Sequence, residues 1–458
     1  MPGDRKSDRT TSLVPALEDF GLILCDTPAS HDSDRPTGAL RLWAAFVIRT
    51  ALYALRRGPL ILNAWKLWRL QRLLARCPEA VNVYYAATIQ QRRALAKIIA
   101  LDSRALVIGS KRGEGTIVLT RSMAAIRAFA LLPGLCRLFA SLDTAGKRWF
   151  VAHFERLMPA AGFFALWQSI FAVLKPRCLV LASDHVLTTR AAIASARRAG
   201  VPSVYIQHGC VSPSFPPLAM DYALLDGRYS FDVYAAKGLG HTRVSLIGIP
   251  RLSGARVRQA APLGGPIGIC TNELTPVETV LETIHWLRAH FPERRLVLRL
   301  HPRQFARQAL RRRFEGLVEL SDSRREEPED FLAAMDVIVA GSSTILLEAA
   351  LLGVLPLYLR WFDVYTNFRV RDVIGLDDSR ADFDDYYGFI ARGVCLGVRD
   401  FGELERALTN DTDRNRLRAS AKHFCDTVNT PHDFRSAELA LRCIALAGDR
   451  RELPFRWE

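Results

Sequence analysis

Hydroxyl, carboxylate and imidazole side chains recur at the ends of apolar runs in this 458-residue chain. The densest group is Gly341–Thr344 (GSST), which lies between an apolar run and a segment with helical spacing. A strand, a short polar turn and a helix N-terminus present free N–H groups and the positive end of a helix dipole, so Ser342, Ser343 and Thr344 form a candidate phosphate site. Glu348 lies one helical turn further on the same face, where it could accept hydrogen bonds from sugar hydroxyls behind a phosphate. The pattern is equally typical of an ordinary strand–helix unit in which Ser and Thr cap the helix.

Three further motifs follow other predicted strands. Gln207–Gly209 (QHG) and His301–Arg303 (HPR) each place a histidine directly after an apolar run, and Ser183–His185 (SDH) places a carboxylate there. A single histidine at a strand end is usually structural. Because ligands of open α/β sheets bind past the carboxyl ends of the strands, two such histidines in opposite halves of the chain indicate a shared site.

The elements that would position these motifs alternate between short apolar runs and helical segments. This rhythm predicts an α/β protein with two doubly wound parallel sheets. We predict an N-terminal segment at 1–78, a first Rossmann-like domain at 79–255 and a second at 256–458, which includes C-terminal helices, with a linker at 251–265. The predicted strands are 81–86, 105–109, 116–120, 178–183, 202–206, 267–271, 295–300, 337–340 and 354–359. The predicted helical segments are 89–99, 122–174, 188–199, 277–290, 328–335, 345–352, 401–408 and 414–427.

The composition limits the class of protein and its partners. A formal net charge of +15 and a pI near 9.7 favour an anionic partner, which could be nucleic acid, acidic lipid or a phosphorylated substrate. The nine cysteines form no CxxC pair and no Cys/His cluster, so we predict neither a zinc site nor a disulfide framework, and we expect a reducing, cytoplasmic location. The uncharged segment 157–174 approaches the length of a membrane span, but it contains Pro159, Gly162 and Gln168 and is interpreted as a buried helix.

A basic segment at 40–76 stands apart from the rest of the chain. It contains eight Arg or Lys residues and three Trp residues, and no acidic residue occurs between Asp34 and Glu79. Two helices broken at Gly58-Pro59 are predicted. Such helices suit the surface of an anionic membrane, although they could equally pack on the body of the protein with their arginines solvated. No motif that reads nucleic acid accompanies the charge, so specific nucleic-acid binding is not expected.

Taken in order, four motifs carry a resemblance to a known group of enzymes. QHG at 207–209, GIPR at 248–251, LRLHPR at 298–303 and GSSTILLE at 341–348 resemble the GT-B glycosyltransferases of bacterial surface polysaccharides. That group includes Kdo- and sialic-acid-type transferases and the related CDP-glycerol glycerophosphotransferases. The resemblance covers roughly residues 178–359. It implies two Rossmann-like domains that face a central cleft, here with extra N-terminal helices.

The resemblance also implies a role for each motif. The second domain would bind a nucleotide-sugar donor, and His301 would stabilise the leaving nucleotide. The first domain would bind the acceptor, with Gln207 and Gly209 around His208, which would take the proton from the attacking hydroxyl. Asp184 is the competing base. No metal or other cofactor is expected. The residues implied to bind the nucleotide-sugar donor are Arg303, Ser342, Ser343, Thr344 and Glu348.

The expected function is transfer of a sugar, preferably from a CMP-sugar, to a surface polysaccharide or a lipid-linked glycan. Two alternatives stay open, a CDP-polyol phosphotransferase of the teichoic-acid type and a non-catalytic subunit of a polysaccharide-assembly complex. The expected location is cytoplasmic, and peripheral attachment to the inner face of the plasma membrane is an option that the basic segment leaves open.

Overall fold

Two α/β domains and a set of N-terminal helices make up the computed structural model, which describes residues 15–24, 38–78, 81–109, 116–183, 186–211, 215–257, 264–273, 275–362, 385, 387–410, 414–425 and 435–455. The N-terminal helices are α1 Leu17–Leu24, α2 Ala39–Arg57 and α3 Trp65–Leu74. The strands of the first domain are β1 Asn82–Ala86, β2 Ala105–Gly109, β3 Thr116–Val118, β4 Cys178–Leu181, β5 Ser203–Ile206, β6 Tyr222–Leu225 and β7 Arg243–Leu246. Its helices are α4 Ile89–Leu101, α5 Arg121–Ala130, α6 Leu132–Ser141, α7 Thr144–Ala152, α8 Phe154–Leu174, α9 Leu187–Ala199 and α10 Arg228–Ala235.

The second domain begins after a 3-10 turn at Pro250–Leu252. Its strands are β8 Ile267–Cys270, β9 Leu296–Arg299, β10 Glu319–Leu320, β11 Val337–Ala340, β12 Leu355–Leu359 and β13 Leu396–Val398. Its helices, with the C-terminal helix of the chain, are α11 Val277–His290, α12 Pro302–Phe305, α13 Gln308–Arg312, α14 Pro328–Ala333, α15 Ile345–Leu351, α16 Phe401–Thr409, α17 Arg414–Cys425 and α18 Ser436–Gly448.

Both sheets are wholly parallel in their described strands. The first has the order β3-β2-β1-β4-β5-β6-β7 and the second β10-β9-β8-β11-β12-β13. The central strands are buried on both faces, which explains why they occur as unbroken apolar runs such as VIVA in β11. In each sheet the strand order reverses at one point, between β1 and β4 and between β8 and β11. The predicted pair of doubly wound sheets is confirmed, and these reversals are where such sheets bind ligands.

Helix α8 is the long apolar helix of the first domain. By length and composition it could cross a membrane, but 72% of its most apolar 18-residue window is buried inside the protein. This agrees with the prediction of a buried helix at 157–174. It packs so closely on α5 that a Cβ atom added at Gly162 would lie 2.0 Å from the carbonyl oxygen of Ala124. Glycine at this position therefore sets the distance between the two helices.

Some elements depart from the sequence expectation. Strands β6 and β7, with α10 between them, lie in a stretch for which no element was predicted. The predicted linker, 251–265, begins inside a 3-10 turn at Pro250–Leu252 in which Leu252 is fully buried. Helix α18 packs against the first sheet, so the chain returns to the first domain at its C-terminus. The predicted break at Gly58, in contrast, agrees with the structure, which has a 3-10 turn there between α2 and α3.

Candidate active site in the interdomain cleft

A cavity of about 320 Å³ lies between the two domains, and we call it the cleft cavity. One wall is α4 of the first domain. Its N-cap is Thr88, whose hydroxyl accepts a hydrogen bond from the Gln91 N–H at 3.2 Å. The opposite wall is formed by the carboxyl ends of β8, β9 and β11, at the strand reversal of the second sheet. The polar residues that line the cavity are Gln90, Arg93, Lys97, Arg251, Thr271, Arg299, His301, Ser323, Glu327, Glu329, Ser343, Thr344 and Glu348.

The hydroxyl-rich turn contributes two of its three predicted residues to this cavity. Ser343 and Thr344 line it, directly before the seven-residue helix α15. Ser342 is buried instead, and its hydroxyl lies 2.8 Å from the hydroxyl of Tyr358 on the neighbouring strand. Two adjacent serines therefore have different surroundings, one in the cavity and one in the core.

Glu348 is buried at the base of the cleft cavity and forms an ion pair with Arg251. Burial raises the pKa of the Glu348 carboxyl, and the Arg251 guanidinium and a hydrogen bond from Thr344 act in the opposite direction. Arg251 also donates a hydrogen bond from Nη1 to the carbonyl oxygen of His208 at 3.2 Å. One arginine thus contacts both the carboxylate predicted to bind the ribose and the loop of the predicted base.

His301 lies at the boundary between the domains. Its backbone N–H donates to the hydroxyl of Thr271 at 3.1 Å, and its Nε2 lies 2.8 Å from the side-chain amide of Gln90 on α4. The Arg303 N–H donates to Nδ1 at 3.4 Å. Burial lowers the pKa of the imidazole, Arg303 lowers it further, and Glu273 acts in the opposite direction. We therefore expect a neutral ring near pH 7, which can offer a hydrogen bond to a phosphate oxygen without carrying a charge.

Arg303 does not line the cleft cavity. Its guanidinium pairs with both carboxylate oxygens of Glu273, at 3.0 and 2.8 Å, and the side chain is 68% exposed. The residue predicted to add charge near the phosphate is thus not among those that the structure brings into the cavity.

A small recess next to the cleft cavity contains the QHG motif. His208, Asp226, Arg251 and Thr344 are among its lining residues, and the last two also line the cleft cavity. The histidines of the two domains therefore lie in adjoining recesses. Asp184, the competing base, falls outside the described residues, so the choice between His208 and Asp184 stays a prediction.

Gln207 and Asp226 hold the QHG turn in place. The Gln207 amide donates to the carbonyl oxygen of Gly209 and to the hydroxyl of Ser230, both at 2.9 Å, and its oxygen accepts from the Asp226 N–H at 3.1 Å. The Ser230 hydroxyl in turn donates to the Asp226 carboxylate at 2.6 Å. Burial raises the pKa of Asp226 to about 6. Gly209 lies against the turn of the second domain, since a Cβ there would be 3.6 Å from the methyl carbon of Thr344.

Several cationic side chains of the cleft cavity were not predicted, and each is paired. Arg93 and Lys97 on α4 pair with Glu327 and Glu329 across the domain boundary, at 3.0 and 3.1 Å. In the second domain, Arg299 pairs with Glu326 at 3.0 Å. In sequence, α4 looks like a helix with a solvated polar face, and only its position after β1, beside a strand reversal, could have indicated a site.

Among the described residues, no three His, Cys, Asp or Glu side chains are grouped closely enough to hold a metal ion. The expectation of a reaction without metal stays a prediction.

No family model and no curated protein matches this chain, whereas solved structures do. A protein from Listeria monocytogenes described as a UDP-N-acetylglucosamine 2-epimerase has a TM-score of 0.51 at 11% identity, over 83% of this chain and 99% of that one. The S. aureus MnaA–UDP structure has a TM-score of 0.51 at 13% identity, over 83% and 100%. The wall teichoic acid polymerase TagF has a TM-score of 0.48 at 10% identity, over 90% and 99%. The chain has the GT-B fold, and at this level of identity its reaction must be argued from the site itself.

Proposed function

We propose that this protein is a glycosyltransferase that moves a sugar from a nucleotide-activated donor, with a CMP-sugar favoured, to a surface polysaccharide or a lipid-linked glycan. The observation that carries the proposal is the cleft cavity. It combines hydroxyls, an imidazole and arginines at the strand reversal of the second sheet, and it opens beside a second histidine on the first domain.

The nucleotide-sugar donor occupies the cleft cavity in this proposal. The hydroxyls of Ser343 and Thr344 and the Nε2 of His301 bind its phosphate oxygens, and Glu348 accepts from the ribose. Arg251 and Arg299 offset the phosphate charge while they keep their carboxylate partners. Since the cavity is partly enclosed by low-dielectric protein, these preorganised groups would stabilise the charge that develops on the leaving nucleotide.

The acceptor hydroxyl enters from the side of the first domain. His208 takes its proton as the oxygen attacks the anomeric carbon, and the bond from that carbon to the phosphate oxygen breaks. The electron pair leaves with the nucleotide. Asp226 and Gln207 position the histidine loop and do not contact the reacting atoms in this scheme.

A thermal-shift panel tests the donor site. CMP, CDP, UDP, GDP and ADP are each added to wild type, Ser343→Ala and the matched control Ser342→Ala. UDP is included because one structural neighbour is a UDP complex. A nucleotide at a hundred times its dissociation constant adds about 2.7 kcal/mol of apparent stability.

We expect a cytidine nucleotide to stabilise the wild type, Ser343→Ala to lose the response, and Ser342→Ala to keep it at a lower baseline, because the buried Ser342 hydroxyl lies against Tyr358 and does not line the cleft cavity. A response that Ser342→Ala loses and Ser343→Ala keeps would contradict the assignment of the turn. A response to UDP alone would discard the CMP preference. No response from folded protein would overturn the proposal in favour of a non-catalytic assembly subunit.

Product analysis tests the reaction. Radiolabel from the sugar of the activated donor should appear in the acceptor fraction without new phosphorus. Phosphorus in the product would identify a polyol phosphotransferase instead, and an altered free nucleotide sugar would identify an epimerase.

A further inference from the structure

The N-terminal helices expose most of the large apolar side chains found at the surface of the described residues. Nine of the thirteen such side chains lie between Leu40 and Leu73. Leu40, Leu55 and Leu62 are 84%, 76% and 85% exposed. Scattered single hydrophobic residues are normal at a protein surface, but a cluster of this size indicates an interaction site.

Helix α2 has two apolar faces. Leu42, Phe46 and Tyr53 are buried against the first domain. Leu40, Val47 and Leu55 recur at intervals of seven and eight residues on the opposite side of the helix and are exposed. A surface helix of a globular protein needs only one apolar stripe, which faces its core. The second stripe is therefore available for a partner outside this chain.

The charge around the second stripe is uniformly positive along the sequence. The segment 40–76 carries eight Arg or Lys residues and no Asp or Glu. In α3, Trp65 and Trp68 are more than half exposed, and the guanidinium of Arg72 lies 3.9 Å from the ring centre of Trp68. Exposed tryptophans interleaved with basic residues are typical of helices that lie in the headgroup region of a membrane.

We propose that the outer face of α2 and α3, which we call the basic apolar face, docks the protein onto the surface of an anionic lipid bilayer. Leucine, valine and tryptophan side chains enter the headgroup region, and the arginines bind lipid phosphates. Two copies of the face would bring together two segments that each carry eight Arg or Lys residues and no Asp or Glu. Arg56 pairs with Glu155 of α8 at 3.7 Å, but the remaining like charge disfavours self-association. Nucleic acid would satisfy the charge but would leave the leucines in water.

The proposal is independent of the glycosyltransferase assignment, since the residues that line the cleft cavity all lie outside α2 and α3. It goes beyond that assignment by stating the surface on which the enzyme works. A lipid-linked acceptor would then be presented at the membrane that the protein already contacts.

Vesicle co-sedimentation of the full chain tests the docking. Wild type is mixed with phosphatidylcholine vesicles and with vesicles that contain about 30% phosphatidylglycerol, at low salt and at about 0.5 M salt. The apolar variant is Val47→Ser/Ile48→Ser/Leu55→Ser. The matched control is Leu101→Ser/Val173→Ser, which removes exposed apolar side chains elsewhere. The charge variant is Arg57→Gln/Arg69→Gln/Arg72→Gln.

We expect wild type and the matched control to bind anionic vesicles at low salt. Both face variants should bind at least about tenfold more weakly, while circular dichroism and nucleotide-induced thermal shifts stay unchanged. Equal binding by wild type and both face variants would overturn the proposal. So would a wild-type dimer that the apolar variant converts to monomer without any vesicle binding, because the face would then join two copies of the chain. An altered nucleotide response with equal vesicle binding would also overturn the proposal and would assign the effect of the substitutions to the cleft.

Discussion

Replacement of Arg251 by methionine should reveal how strongly the cleft depends on one buried ion pair. Methionine keeps most of the volume of the side chain but leaves the Glu348 carboxylate, whose side chain is 3% exposed, without its cationic partner. Removal of one member of a buried pair costs about 3–5 kcal/mol. Because the Arg251 side chain is itself 18% exposed and water can reach the site, we expect the lower end, about 3 kcal/mol at pH 7.5.

The effect of Arg251→Met on the free energy of unfolding should depend on pH in a direction that the pKa of Glu348 determines. The pKa of Glu348 is already raised by burial, so the folded protein holds this proton more tightly than the unfolded chain does. The contribution of Glu348 to the free energy of unfolding therefore falls as the pH rises through the raised pKa of the folded state. Loss of Arg251 should raise the pKa further. The deficit of Arg251→Met relative to wild type should be smaller near pH 5.5 than near pH 7.5.

A double-mutant cycle in urea, followed by tryptophan fluorescence, measures the coupling. Glu348→Gln removes the charge but keeps the size of the side chain, so the double variant should recover about 1.5–3 kcal/mol relative to Arg251→Met alone. If Arg251→Met costs less than about 1 kcal/mol at both pH values, or if Glu348→Gln fails to rescue it, the carboxylate is not a buried charge that depends on Arg251 and the reasoning is wrong.

Three further predictions concern single residues. Burial raises the pKa of Asp226 from 3.8 to about 6, so the free energy of unfolding of wild type should fall by about 3 kcal/mol as the pH rises across that interval. In Asp226→Asn, urea unfolding should show that this loss is removed. A pH profile of Asp226→Asn that matches wild type would contradict the burial effect. Burial lowers the pKa of His301, and a bound phosphate would oppose this effect. Calorimetry should therefore show that nucleotide affinity increases from about pH 7.5 to about pH 6 in wild type and that it increases less in His301→Gln. Parallel affinity profiles of the two proteins would exclude contact between His301 and the phosphate. In Gly162→Ala the new methyl group would meet the Ala124 carbonyl, which should lower the free energy of thermal unfolding by about 1–3 kcal/mol or more. The control Gly58→Ala should be nearly neutral, because no atom lies within 4 Å of the added Cβ. Equal stability of the two variants would refute the close packing of α5 on α8.

The sequence could predict the elements whose environment is uniform along their length. Strand β11 and helix α11 were predicted with the bounds that the structure shows, because a central parallel strand is buried on both faces and α11 has clear helical spacing. Strand β6 (YALL) is an apolar run as long as β11 and could have been predicted on the same ground, whereas β7 (RVSL) begins with an exposed arginine and contains a serine, so it produces no unbroken apolar run. Helix α18 has an apolar face that predicts packing, but periodicity does not specify on which domain it packs.

The candidate site could be predicted only at the level of strand ends. The motifs that follow β5, β9 and β11 point to the cleft because the carboxyl ends of parallel strands share one edge of a sheet. The partners of those motifs are distant in the chain, since Arg251 and Glu348 are 97 residues apart and Gln90 and His301 are 211 apart. No local pattern encodes such pairs. The different surroundings of Ser342 and Ser343 likewise depend on the path of the backbone in the turn.

The position of Arg251 explains how two recesses on different domains can act as one site. Its guanidinium bonds the backbone of the His208 loop and the buried carboxylate behind the Thr344 turn, so it fixes the distance between the predicted base and the predicted phosphate site. Gln207, in contrast, bonds groups of the first domain alone among the described residues. Loss of Arg251 should therefore disturb nucleotide binding and proton removal together, whereas loss of Gln207 should disturb the histidine loop alone. If the cleft cavity were an empty groove between two inert domains, neither residue would affect nucleotide binding, and the two variants would differ only in stability.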